Sequence, residues 1–262
     1  MTDDSWTSAN PYEYFMGRFS RPLARRVLAS LSPPEALRWL DVGCGTGALS
    51  QAILELTTPT SVVGVDPSPE FIADARRRLQ DQKAQFFSGD ASHLPLADAT
   101  VDHVIAGLAL NFADDPSSAL REMRRVTAPG GRVSAYVWDY AEGMQMLRYF
   151  WDAALAEDPS ASTYDEGMRF ALCRADTLER LFRGAGLTDV TCTPVELDTT
   201  FTDFDDYWRP FLGGQGPAPT YCSSLSDTHR QRLSNRLRHT IPAQPDGSLA
   251  LQARAWLVTG GH

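Results

Sequence analysis

"LDVGCGTGALSQ", residues 40–51, joins an apolar run to a helical pattern through three alternating glycines, Gly43, Gly45 and Gly47. Residues without a Cβ reach backbone conformations and close approaches that others cannot. A chain that turns this sharply from strand to helix, with Cys44 and Thr46 between the glycines, therefore marks a place where backbone meets a ligand. The acids around the turn decide which ligand.

Working outward, "LRWLDVG" (37–43) reads as a buried parallel strand, and Leu49, Ala52, Ile53 and Leu56 recur after it at helical spacing. "SVVGVD" (61–66) is the next strand, followed by a helix in "PSPEFIADARRRL" with Ser68 as N-cap and Pro69 at its first position. "AQFFSGD" (84–90) and "VDHVIAGLAL" (101–110) are the third and fourth strands. "DDPSSALREMRRV" then carries Leu120, Met123 and Val126 on one helical face. "PGG" (129–131) is expected to stop that helix, and "RVSAYVWD" (132–139) supplies a fifth strand. Repeated strand–helix–strand units on short turns mean an α/β fold with a doubly wound, mostly parallel, Rossmann-like sheet.

Past residue 141 the pattern changes. Segments 143–157 and 174–185 read as helices, the second stopped by Gly184 and Gly186, and 187–201 and 251–260 read as strands. Between those strands, 202–247 is rich in Pro, Gly and aromatics and has one clear helix near 226–240. It is too long for a plain connection, so it reads as a helical lid or substrate-pocket insertion, with a packed hairpin serving only the core as the equal alternative. The chain is expected to be one domain over 1–262, with its cofactor-binding core at 37–139.

The 262 residues have ordinary globular composition and a formal charge of −9. That charge argues against nucleic acid as a partner. No apolar stretch is long enough to cross a bilayer, and "MTDDSWTSANPYEYF" is not a signal peptide, so a cytoplasmic protein without a membrane partner is expected. Cys44, Cys173, Cys192 and Cys222 form no CxxC pair and the five histidines show no ligand spacing, so no metal is expected. The sequence carries no signal for an oligomeric state.

Gly43-x-Gly45-x-x-Ala48, with Asp66 at the expected distance, satisfies a dinucleotide fingerprint, a weak match by itself. A phosphate loop is excluded because no Gly-Lys-Ser/Thr follows. Asp41, just before the glycines, repels a pyrophosphate but receives an ammonium group. Asp66 ends the second strand, ready for two ribose hydroxyls, and Asp90 ends the third, where it accepts from an exocyclic adenine amine. An amine, a ribose and an adenine without phosphate describe S-adenosylmethionine.

At this point the chain resembles the class I S-adenosylmethionine-dependent methyltransferases, and within them the small-molecule subgroup related to quinone-biosynthesis C-methyltransferases. The likeness rests on "LDVGCGTG" (40–47), "VVGVDPSPEFIADAR" (62–76) and "FFSGDASHLPLADATVDHVIAGLALNFADDPSSALREMRRVTAPGGRV" (86–133). It implies a seven-stranded sheet with an antiparallel element at its end and S-adenosyl-L-homocysteine as product. It also implies that Gly43–Gly47 lie beside the methionine part, Asp66 and Pro67 beside the ribose, and Asp90, Ala91 and Ser92 around the adenine. Ala106 on the fourth strand joins this set. The segment 12–28, within an N-terminal region 1–36, is similar to a helix that covers the cofactor, with Tyr14 and Arg18 reaching its carboxylate.

Asn111 and Asp139 follow the fourth and fifth strands, at the carboxyl ends where such sheets bind ligands. Both are candidates for catalysis, Asn111 as an acceptor contact and Asp139 as a base or a helix cap. Phe112, Tyr140, Trp208, Phe211 and Tyr221 are candidate walls of a substrate pocket, with ordinary core packing as their alternative. Cys44 reads as a small buried filler rather than a nucleophile. The expected reaction is in-line methyl transfer to a small organic acceptor, aromatic among the options, for which positioning can suffice. A nicotinamide-dependent oxidoreductase and a non-catalytic cofactor-binding module are the rival readings.

Overall fold

The structure, a computed structural model, describes residues 17–213 and 216–262. Two compact units emerge. One comprises Ser20–Val137, Leu172–Val195 and Ala255–His262, and the other the chain up to Phe19, Trp138–Ala171 and Glu196–Arg254.

A seven-stranded sheet runs in the order β3-β2-β1-β4-β5-β7-β6. β1 (Arg38–Val42), β2 (Ser61–Asp66), β3 (Ala84–Ser88), β4 (Val101–Gly107) and β5 (Thr127–Trp138) pair in parallel. β7 (Leu249–Gly261) runs against β5: Gly130 donates to the His262 carbonyl at one end and Asp139 to the Arg254 carbonyl at the other, both at 2.9 Å. β6 (Thr188–Phe201) closes the edge. Central strands bury both faces and read as apolar runs, whereas β6 alternates buried and exposed residues along its second half.

Local signals set the helices of the first unit. Ser68 Oγ accepts from the Phe71 amide, and Pro69 opens the helix Pro69–Arg78. The Asp115 carboxylate accepts from the Ser117 and Ser118 amides ahead of Pro116–Val126, which buries Ala119, Leu120, Met123 and Val126. That helix ends before Pro129-Gly130-Gly131, not at it. β5 has already begun at Thr127, and the three residues lie inside the strand, where Gly130 takes φ +80° and the register with β4 shifts. A Cβ on Gly131 would come within 2.6 Å of the Asp102 carbonyl, so close approach is what this position requires.

In the other unit, Gln145–Glu157, Pro217–Ser224 and Asp227–Thr240 are the longer helices, with short turns at Phe204–Trp208 and Arg209–Gly213. Its core is aromatic. Phe150 stacks on Phe211 at 4.5 Å between ring centroids, and Tyr207 and Trp151 pack around that pair. Among the described residues, no helix is long and apolar enough to cross a membrane.

Gly64 in β2 is held to glycine by its neighbours, since a Cβ there would sit 2.5 Å from the Phe86 ring and 2.9 Å from Cys44 Sγ. Gly64→Ala is expected to cost about 1–3 kcal/mol of stability by overpacking, read from urea unfolding, with part of the loss recovered when Phe86→Leu is added. An unchanged midpoint in the single variant would contradict this packing.

Candidate active site

The glycine turn is built by left-handed backbone. Gly43, Gly45 and Gly47 have φ of +70°, +52° and +86°, conformations that favour glycine. Gly43 and Cys44 both donate to the Val65 carbonyl, at 2.7 and 3.1 Å, which draws the turn over the end of β2. Gly43 also lets Ala109 approach, because a Cβ on it would lie 2.3 Å from that side chain. Gly47 rests on the helix after β2, 2.7 Å separating its would-be Cβ from Leu79. Gly45 is different: a Cβ there would meet nothing within 4 Å. Its neighbour Cys44 packs with Ile72, Ala75 and Phe86, and burial pushes its thiol far above the ordinary range, which makes it a filler and not a nucleophile.

Two carboxylates stand beside this turn. Asp66 Oδ2 accepts from the Gly45 amide and Oδ1 from the Ser68 amide, both at 2.9 Å. Burial pushes the Asp66 carboxyl upward, and those two amides hold it back. Asp41, only 1% exposed, accepts at Oδ2 from the Ser50 hydroxyl at 2.7 Å, while its Oδ1 is buried without a hydrogen-bond partner. Burial, with a smaller contribution from the Asp66 charge, pushes the Asp41 carboxyl up to about 7. Among the described residues neither carboxylate is paired with a cation. At the end of β3, Asp90 Oδ1 accepts from both the amide and the hydroxyl of Ser92 at 2.7 Å, which lowers its carboxyl below the usual range.

These features fit a ligand that is cationic at one end and a nucleoside at the other. The open side of Gly45 is a cradle that any side chain would fill. The unpartnered Asp41 oxygen asks for a donor, and each oxygen of Asp66 keeps acceptor capacity beyond its one bond.

Comparison with known proteins decides the family. Residues 40–135 match the methyltransferase domain family. The chain is 32% identical over 180 residues to the ubiquinone/menaquinone biosynthesis C-methyltransferase of Desulfotalea psychrophila, covering 63% of this chain and 72% of that one. The chain belongs to the class I S-adenosylmethionine-dependent methyltransferases. Its cofactor is S-adenosyl-L-methionine. The malonyl-[acyl-carrier protein] O-methyltransferase of Halorhodospira halophila is 36% identical over 250 residues, covering 92% of this methyltransferase and 81% of the relative. Haemonchus contortus phosphoethanolamine N-methyltransferase 2, solved with phosphomonomethylethanolamine and S-adenosylhomocysteine, shares the fold with a TM-score of 0.59 at 16% identity, covering 97% of this chain and 57% of that one.

The remaining expected residues fall in several places. Thr46 is buried in the turn, Pro67 is exposed just past Asp66, and Ala91 and Ser92 are half-buried beside Asp90. Ala106 is buried within β4, in register with Ala135 of β5. Asn111, in the short turn Leu110–Phe112 after β4, keeps its Nδ2 buried and unpartnered, while Phe112 beside it is 43% exposed. Tyr14 lies outside the described residues.

Several of the expected residues are engaged within the protein. Arg18 does not present a free guanidinium: it forms a two-point ion pair with Asp206 at 2.9 and 3.2 Å, donates to the Thr200 carbonyl and lies over the rings of Phe19 and Phe201. Asp139, read as a base or a helix cap, is engaged on both carboxylate oxygens. Its Oδ2 accepts from Arg254 Nε and Nη2, at 2.8 and 2.5 Å, and Oδ1 accepts from the Glu142 amide. Phe211 and Tyr221 are buried core rings against Phe150 and Trp151. Trp208 is half-buried against Phe211, and Tyr140 packs on Phe170.

Sequence reasoning missed Ser50, Arg254 and Asp206. Only Ser50 left a signal, a hydroxyl among the apolar positions of the helix Ala48–Leu56, where Leu49, Ala52 and Ile53 are also buried.

The raised Asp41 carboxyl makes stability depend on pH. The folded state holds this proton more tightly than the unfolded chain does, so the group's contribution is complete below about pH 4 and is lost as pH rises toward 7. Asp41→Asn removes that dependence. Between about pH 4 and pH 8, the cofactor-free variant should gain on the order of 3 kcal/mol relative to wild type, measured by denaturant unfolding. Parallel pH profiles for the two proteins would refute the assignment.

Proposed function

We propose that this methyltransferase transfers the methyl group of S-adenosylmethionine to a small organic acceptor, with the glycine turn and three strand-end acids holding the cofactor. Two features of the turn support the placement above all: Asp41, two residues before it, keeps a buried carboxylate oxygen without a partner, and Gly45 within it is left-handed with open space at its Cβ position. In this reading Asp41 takes the cofactor's ammonium group, Asp66 the ribose hydroxyls, and Asp90 with Ser92 the adenine edge. The cofactor supplies a methyl carbon already activated by positive sulfur. The protein's own contribution is to hold the parts in line and keep water out, which lowers the barrier by positioning.

Asn111 is the residue we assign to the acceptor, because its buried amide donor has no protein partner. Asp139 serves as an anchor for the end of β5, its carboxylate engaged by Arg254. Residues 202–247 we assign to acceptor selection. The relatives' names span carbon methylation in quinone biosynthesis and oxygen methylation of malonyl-[acyl-carrier protein], so both acceptor chemistries belong in a screen. A cytoplasmic location is part of this proposal.

Calorimetric titration of the purified protein tests the cofactor site. S-adenosylmethionine and S-adenosylhomocysteine are expected to bind at micromolar levels and NADH not to bind. Asp66→Ala should weaken both by about tenfold or more, since it removes charge-assisted hydrogen bonds. Unchanged affinity in that variant would remove Asp66 from the ribose position.

A further inference from the structure

The glycine turn carries a feature that the cofactor reading does not use. Ser50 is fully buried, projects from the helix that follows the turn and donates its hydroxyl to Asp41 Oδ2 at 2.7 Å. We propose that Ser50 is a positioning residue for cofactor binding: it holds the Asp41 carboxylate with Oδ1 unengaged, so that seating the cofactor's ammonium group there expels a proton from Asp41. This rests on the assignment of Asp41 to the amino end of the cofactor.

The physical case is a balance around one carboxyl. Burial disfavours its charge, and the Asp66 carboxylate at the end of β2 adds to that, while the Cys44 thiol in the turn, itself held neutral by burial, adds no charge. From the helix, the Ser50 hydroxyl favours the ionised form most, and the Ser50 backbone amide adds to it. With these opposing effects the carboxyl of the free protein titrates at about 7. A bound ammonium group adds a positive charge that the protein itself does not supply, which favours the carboxylate. The proton balance is simple. A neutral Asp41 carboxyl meets a protonated amine, the carboxyl proton passes to the buffer, and a carboxylate–ammonium pair remains. By linkage, affinity for an amine-bearing ligand rises with pH toward the point where free Asp41 is already ionised.

The test pairs two ligands. S-adenosylhomocysteine has the amino acid end, and 5′-methylthioadenosine keeps the nucleoside and lacks the amine. Both are titrated calorimetrically into wild type, Ser50→Ala and Ser50→Cys at pH 6.5 and 8.5, in two buffers of different ionisation enthalpy. Wild type should release most of one proton per S-adenosylhomocysteine at pH 6.5 and little at 8.5, and none with methylthioadenosine at either pH. Ser50→Ala should weaken S-adenosylhomocysteine about tenfold at pH 6.5 and less at 8.5, with methylthioadenosine changed by no more than about twofold. Ser50→Cys, a weaker donor of similar size, should fall between.

Equal losses for the two ligands would make Ser50 a packing residue and overturn the proposal, as would wild-type binding without proton release. If Ser50→Ala does not fold, the wild-type proton count and the cysteine variant decide. Failure of wild type to bind either ligand would instead refute the cofactor placement itself.

Discussion

The carboxylate of Asp66 ties three pieces of backbone together. It ends β2, accepts from Gly45 in the turn after β1, and accepts from Ser68 at the cap of the next helix. The Val65 carbonyl beside it takes the amides of Gly43 and Cys44. Backbone donors at a left-handed turn have no helix or strand partner, and buried donors without partners are costly. The end of β2 satisfies them. The open side of Gly45, the approach of Ala109 to Gly43 and the contact of Gly47 with Leu79 all depend on this arrangement. A residue expected to meet the ribose is thus also structural, which is why its removal touches both fold and binding.

The same neighbourhood concentrates uncompensated negative charge. Asp41 and Asp66 are both buried, each disfavours ionisation of the other groups nearby, and among the described residues no cation pairs with them. Isolated buried carboxylates cost folding energy unless hydrogen-bonded or paired. Here the opposing donors are one hydroxyl and two amides, from Ser50, Gly45 and Ser68. In the placement proposed above, the cofactor's ammonium group and ribose hydroxyls would complete that balance.

Away from the turn, two charged residues singled out in the sequence are engaged by ion pairs within the protein. Arg18 is clamped by Asp206 and lies over the adjoining rings of Phe19 and Phe201, and Asp139 is clamped by Arg254. In each case the partner lies more than a hundred residues away in sequence. The aromatic residues of 202–247 divide in the same way, with Phe211 and Tyr221 taken into a core built on Phe150 and Trp151. Burial also raises the Glu166 carboxyl to about 7, with the Trp151 indole donating to it.

Sequence alone was enough for the parts governed by short-range rules. Strand and helix periods, the Ser68 and Asp115 caps and the alternating glycines each act within a few residues, so β1, β2 and their following helices were legible to within about a turn. The exception, Pro129-Gly130-Gly131, shows the limit. The turn signal was absorbed into β5: the β4 ladder skips from Thr127 to Arg132, while Gly130 and Gly131 bond to His262 beyond β7 and Gly131 lies against Asp102. The acids at strand ends were legible because a parallel sheet brings the carboxyl ends of neighbouring strands together. Which carboxylates stay unpaired was not legible. Whether Asp41 or Asp139 meets a cation depends on which distant side chains packing delivers to it, and that is a property of tertiary contacts alone.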